Sequence, residues 1–197
     1  MSTRRPLLLA VAAAALTVAG CSGTTGGTAA PAPSSADSAT GPGGGSAPKV
    51  PAPLNVSSLQ SNACAALSPA KLSTLKLGTG TPRSSSGNPS CVYTYTDEPG
   101  NQINLAVVTD NKNGLSDVYD TKANQEYFEP TQVAGYPGVY AAAKDYRTSG
   151  QCGLFVGVTD QLSVKILAQL DRGSDAKTPC PVVEKIGEAM IQTLKEG

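Results

Sequence analysis

Histidine and tryptophan are absent from this 197-residue chain, and phenylalanine and methionine occur only twice each. Without an imidazole, the usual Ser-His-Asp and Cys-His arrangements are excluded, as are all His-based metal sites. No G-x-x-x-x-G-K-[ST] or G-x-G-x-x-G segment is present to cradle phosphates. There is no C-x-x-C pair, and no clustered Lys/Arg stands beside a cysteine to depress a thiol pKa. Basic runs are missing too, which argues against nucleic acid as a partner. With so few large aromatics, the core has to be assembled from Val, Leu, Ile, Ala and the seven tyrosines.

What is present begins with LTVAGCSGTTGG, residues 16–27, where an apolar run stops at a cysteine and gives way to small polar residues. Arg4 and Arg5 form a short basic region, and residues 7–18 an apolar stretch too short for a bilayer span of about 20 residues. Residues 1–20 therefore read as an export signal. An ordinary secretory signal is the plain alternative, but Val18-Ala19-Gly20-Cys21 resembles the bacterial lipobox. In that motif the cysteine sulfur receives a diacylglycerol and becomes the new N-terminus. Cys21 is thus the expected lipid attachment site, and two acyl chains hold a protein stably where one is marginal. Loss of Arg4 and Arg5 with the signal leaves 13 basic residues against 15 acidic ones, a net charge near −2.

Residues 21–53 consist mostly of Gly, Ala, Ser, Thr and Pro. Such a segment buries too little apolar surface to offset its ordering entropy and is expected to be a disordered tether. Its root-mean-square reach is about 30 Å, and its composition also permits O-glycosylation.

Residues 54–197 suffice for one domain with a single core. Ser68-Pro69 is a helix start, with Leu72 and Leu75 on one face and Gly78 as the expected stop. SCVYTYT alternates, with Cys91, Tyr93 and Tyr95 on one side. Pro99-Gly100-Asn101 then joins it to INLAVVTD as a hairpin, with Ile103, Leu105 and Val107 sharing a face. A weaker helical pattern follows at Leu115, Val118 and Tyr119. Pro137-Gly138 is the pair favoured at the centre of a type II turn. CGLFVGVTD and QLSVKILAQL read as two further paired strands. Thr178-Pro179 opens a last helix whose stripe is Val183, Ile186, Met190 and Leu194. The predicted fold class is α+β, an antiparallel sheet with the N- and C-terminal helices packed on one face.

Four cysteines remain in an exported domain, which favours two disulfides, with three pairings open. The layout favours Cys64–Cys91 and Cys152–Cys180, since each bridge would staple a terminal helix to the sheet.

CAALSPAKLSTL, SCVYTYTD, VAGYPGVY, QCGLFVGVTDQLSVKI and TPCPVVEKIGEAMIQTL, together with the lipobox and linker, resemble the actinobacterial lipoproteins called domain of unknown function 3558. That family often carries a Trp two residues beyond the second cysteine, a place held here by Tyr93. The resemblance implies a cell-envelope lipoprotein with the disulfides just described. It implies no activity, so it transfers no functional residues.

Other chemistry finds little footing. Asp97 and Glu98 are adjacent, but beside a Pro-Gly turn they read as an exposed hairpin tip. Asp110, Asn111, Asn113 and Asp117 are oxygen donors, yet their spacing departs from the EF-hand loop and its twelfth-position Glu is missing. No metal or cofactor is expected. Two classes remain. One is a non-catalytic module on the extracytoplasmic face of the cell membrane, anchored through a diacylglycerol on Cys21 and binding an envelope ligand or protein. Tyr119, Tyr127, Tyr136 and Tyr140, with Phe128 nearby in sequence, are its candidate contact residues, since Tyr offers apolar area with a polar handle. The alternative is a hydrolase using dispersed carboxylates, which requires several Asp or Glu in one concave pocket.

Overall fold

The alternation at Cys91–Tyr93 and Ile103–Val107 does what period-2 patterning dictates, turning one side of each strand into a continuous apolar surface. The computed structural model describes residues 46–197. The signal of residues 1–20, the lipid site Cys21 and the linker up to residue 45 lie outside the described residues. Seven strands form one antiparallel sheet: β1 (Thr81–Ser85), β2 (Asn88–Thr94), β3 (Gln102–Val108), β4 (Tyr127–Val133), β5 (Tyr136–Ala142), β6 (Gln151–Thr159) and β7 (Leu162–Gln169), in the order β1-β2-β3-β7-β6-β5-β4. β1–β3 form one meander. The chain then passes through a short helix, α3 (Leu115–Asp120), to the far edge and returns through β4–β7, so that β7 closes against β3.

One face carries the main core. Tyr93, Ile103, Leu105, Val107, Leu154, Val156, Val164 and Ile166 are fully buried there. Across them lies α4 (Cys180–Glu196), which buries Val183, Ile186, Met190, Ile191 and Leu194. Each such side chain contributes about 1.5–3 kcal/mol, so this helix is held by its apolar stripe. The N-terminal elements lie on the same face. They are α1 (Ser57–Ser61), a 3₁₀ turn at Ala63–Ala66 and α2 (Pro69–Thr74). Ser68 caps α2 by accepting from the Lys71 N–H, as its position before Pro69 predicts. Both disulfides have the pairing the layout favours. Cys64–Cys91 ties the 3₁₀ turn to β2, and Cys152–Cys180 ties β6 to the start of α4, with Cα separations of 5.0 and 5.2 Å. The Tyr93 hydroxyl donates to the Cys64 carbonyl at 3.1 Å, so the aromatic at that position also anchors the N-terminal turn.

The structure departs from the sequence reading in five places. The hairpin between β4 and β5 turns at Ala134-Gly135, with φ of +48° and +85°. Both residues positive in φ is the arrangement that matches strand twist, and Pro137-Gly138 falls inside β5 instead. α2 stops at Thr74 and the left-handed residue is Lys76 at φ +56°, while Gly78 pairs its N–H with the Thr94 carbonyl. β1 and β4 escape the alternation rule because they are edge strands: all of β1 is exposed, and β4 contains Pro130. α3 packs on the face opposite α4, so the second face is partly covered. Finally, residues 47–53, assigned to the linker, lie on the domain. Ala47 is buried with its N–H on the Ser116 hydroxyl, the Val50 N–H reaches Asp160, and the Leu54 N–H bonds to the Val158 carbonyl.

Candidate functional site

The tyrosines named from sequence do not converge. Tyr136 and Tyr140 sit on the α4 side of β5, where their hydroxyls donate to the Ala52 carbonyl and to Glu184, both at 2.9 Å. Tyr119 packs edge-on against Phe128 on the opposite face, with centroids 5.0 Å apart. Tyr127 is buried, and its hydroxyl accepts from the Gly153 N–H at 3.2 Å. Burial raises the Tyr119, Tyr127 and Tyr140 pKa values, at Tyr140 with help from the Glu184 bond. Tyr127 is the one of the four that borders an open depression.

The loop acids are committed internally as well. Asp97 pairs with Lys76 at 2.6 Å at the exposed hairpin tip, and Glu98 accepts from the Asn101 side chain. Asp110 accepts from Asn88. Asp117 accepts the N–H groups of Lys112 and Asn113 and the Asn113 amide, which holds its carboxyl below the usual range. The 109–117 segment is thus a loop closed by Asp117 at the first turn of α3. Among the described residues, no three His, Cys, Asp or Glu side chains group with metal-binding geometry. Of three surface depressions among the described residues, one contains Asp160 and the other two contain no Asp or Glu side chain.

The second face of the sheet is different. The alternation that turns Val164 and Ile166 inward turns Ser163, Lys165 and Leu167 outward, and register sets Lys165 between Ala106 of β3 and Phe155 of β6. α3 covers the β5–β6 part of this face through Leu115 and Val118. Lys165 is half-buried, with its Nζ 5.3 Å from the Phe155 ring centroid. Among the described residues no carboxylate lies within ion-pair distance of it. Burial alone lowers its pKa below the ordinary lysine value, the expected direction for an ammonium that is desolvated without a counter-charge. On the same face the hydroxyls of Ser90 and Ser163 are buried without a hydrogen-bond partner among the described residues. The alternation of QLSVKILAQL already contained this outward set; attention to its apolar side alone passes over it.

Beside Lys165 lies a shallow depression of about 40 Å³, lined among others by Leu167, Gly153, Ala141, Lys144 and Tyr146. Tyr146 is 52% exposed, the one large apolar side chain so exposed among the described residues. Its loop is held rigidly by Arg147. The guanidinium bonds Asp145 through Nε and Nη2, bonds Glu129 through Nη1 at 2.8 Å, and stacks 4.2 Å over the Tyr127 ring. Bidentate pairing with stacking is what guanidinium geometry does best.

The bonds from Arg147 hold the Asp145 carboxyl below its ordinary value, and backbone N–H donors do the same at Asp117 and Asp160. A carboxylate whose folded pKa is depressed stabilises the fold above its unfolded pKa, and that stability is lost as pH falls through the folded value. The thermal midpoint is therefore expected to stay level from about pH 7 to 5 and to drop below about pH 4. Asp145→Asn should flatten the acid limb. An unchanged limb in calorimetry between pH 5 and 2.5 would rule out this origin.

A family model described as protein of unknown function (DUF3558) matches residues 16–193 of this chain. No curated protein and no solved structure matches it.

Proposed function

Since the chain belongs to that family of proteins of unknown function, which supplies no activity to transfer, we propose from its residues and geometry that it is a lipid-anchored, extracytoplasmic lipoprotein whose domain binds a ligand without catalysis. The observation that carries the binding role is Lys165, a half-buried cation with no carboxylate partner among the described residues, on the sheet face opposite α4. Burying a charge unpaired is unfavourable, and such an expense at an open surface is the signature of a binding site. The export signal, the lipobox cysteine Cys21 and two disulfides agree with an oxidising, membrane-facing location.

The hydrolase alternative finds less support. It needs carboxylates gathered in a cleft, one with a raised pKa to act as acid. Asp97, Asp117, Asp145 and Asp160 are spread over the surface, and each is pushed the other way by its bonds.

The test of the anchoring is expression of the full chain in a lipoprotein-processing bacterium. Wild type should partition into detergent and carry the mass of a diacylglycerol at Cys21. Cys21→Ala should lose both and enter the aqueous phase. Identical partitioning of the two would overturn the lipoprotein reading.

A further inference from the structure

Charge, apolar surface and free amides meet at one place on the second face, and together they narrow the ligand. None of the residues lining the depression is acidic, whereas two are lysines. Lys165 has no counter-ion among the described residues, and Lys144 has only a loose one in Glu126, at 3.6 Å, with Lys144 itself 68% exposed. The opening thus favours negative charge. A single ammonium offers a point charge, without the fork of an arginine. A charge of −1 is the match for Lys165.

The mouth of the depression suits a ring. Tyr146 stands exposed beside Leu167 and Ala141, an aromatic and apolar surface on which the flat face of a ring can rest. At about 40 Å³ the depression is far below the usual span of ligand pockets, roughly 300–1,000 Å³, so it admits the carboxylate alone and leaves the ring at its mouth. Polar groups border it. The Gln151 side-chain amide lines the depression and has no partner among the described residues. The Gln102 amide donates to the Gln169 oxygen at 3.1 Å, which leaves the Gln169 NH₂ without a partner among the described residues. Register aligns Gln151, Gln169 and Gln102 across three strands of this face. Amides that both donate and accept are the groups that read hydroxyls.

We propose that the Lys165 depression binds a carboxylate carried on a hydroxylated ring, the chemistry of an acidic sugar, with Lys165 on the carboxylate, Tyr146 against the ring and the amide row on its hydroxyls. The assignment rests on the binding role proposed above and names the ligand class for that same face.

The test is lysine ¹³Cε NMR on the full-length, detergent-solubilised chain, at constant ionic strength, with four probes: glucuronate, glucose, acetate and inorganic phosphate. Glucuronate should shift the Lys165 resonance saturably, and acetate should bind much more weakly for want of the ring. Glucose should leave Lys165 unmoved. Lys165→Met should weaken glucuronate binding by roughly tenfold or more, the worth of a charge-assisted hydrogen bond. Methionine replaces a half-buried charge with an apolar chain of similar length, so this variant keeps or raises the thermal midpoint and serves as its own folding control. Equal shifts from glucuronate and acetate, or saturation by phosphate alone, would overturn the acidic-sugar assignment. A pH titration of the same resonance separates the two levels. A depressed Lys165 pKa with silence from every probe removes the ligand class and leaves the binding face. An ordinary lysine pKa removes the face as well.

Discussion

Replacing Cys64 and Cys91 together by alanine is expected to destabilise the domain by about 3–4 kcal/mol and to lower its thermal midpoint by roughly 6–16 °C. The Cys152/Cys180 double replacement has nearly the same loop-entropy effect, because the bridges span 27 and 28 residues. The two differ in what each bridge holds in place. α4 buries seven side chains, among them Ile186, Met190 and Ile191, and stays docked by its own packing once Cys180 is released. The N-terminal segment has far less. Its helices are five and six residues long, too short to persist alone, and α2 buries no residue fully. Leu59, Ala63, Ala66 and Leu67 are its apolar anchors, supplemented by the Tyr93 hydroxyl on the Cys64 carbonyl. Removing Cys64–Cys91 should therefore open residues 54–77 locally, below the global unfolding free energy. Removing Cys152–Cys180 should lower protection evenly over the sheet. Calorimetry gives the magnitudes and native-state hydrogen exchange the distribution. Even loss of protection in both double variants would show that the N-terminal segment does not depend on its staple.

The parts of this fold legible in the sequence are those where one physical effect dominates. β2, β3, β6 and β7 are central strands with one face against α4 or the N-terminal turn, so burial imposes strict alternation, as at Ile103, Leu105 and Val107. α4 declares itself by its stripe, and Ser68-Pro69 by local capping chemistry. Where two effects compete, the reading fails. Pro137-Gly138 has ideal turn chemistry, but Val133 and Tyr136 must both reach the core, and a two-residue turn at Ala134-Gly135 keeps them paired. β1 is fully exposed, so no hydrophobic pattern marks it; edge strands with proline are built to look unlike strands. The tyrosines have the chemistry of contact residues, but three of them spend it inside the fold, on Ala52, Gly153 and Glu184. The Lys165 face comes from the outward half of the β7 alternation, whose inward half is the core. Which polar residue lacks a partner is a property of register across β3, β7 and β6, and register is not written in any one strand.

Register also makes one small residue the hinge between fold and face. Gly150→Ala is expected to destabilise the protein by about 3 kcal/mol, lowering the midpoint by roughly 6–12 °C, and to weaken the binding proposed at Lys165. Gly150 ends the short 3₁₀ turn Arg147–Ser149 at φ +80°, a left-handed conformation that costs any L side chain. Strain is the smaller part. A β-carbon there would be pressed into the Leu170 carbonyl oxygen and lie 3.0 Å from its carbon, both backbone atoms that no rotamer change can move aside. The Gly150 carbonyl in turn accepts the Leu170 N–H at 2.9 Å, fastening this loop to the end of β7. To admit a methyl group the loop has to lift from β7, and it carries Tyr146 and Arg147 with it. Arg147 would then leave the Tyr127 ring, and Tyr127 supports Gly153 at the base of β6. Gly135→Ala is the matched control. Its φ is also positive, at +85°, but a β-carbon there meets nothing within 4 Å, so it should show the backbone strain alone, about 1 kcal/mol. Melting curves for the two variants separate clash from strain. Equal losses would mean that the Leu170 contact relaxes freely, and that the loop beside Lys165 is softer than its Arg147 bonds imply.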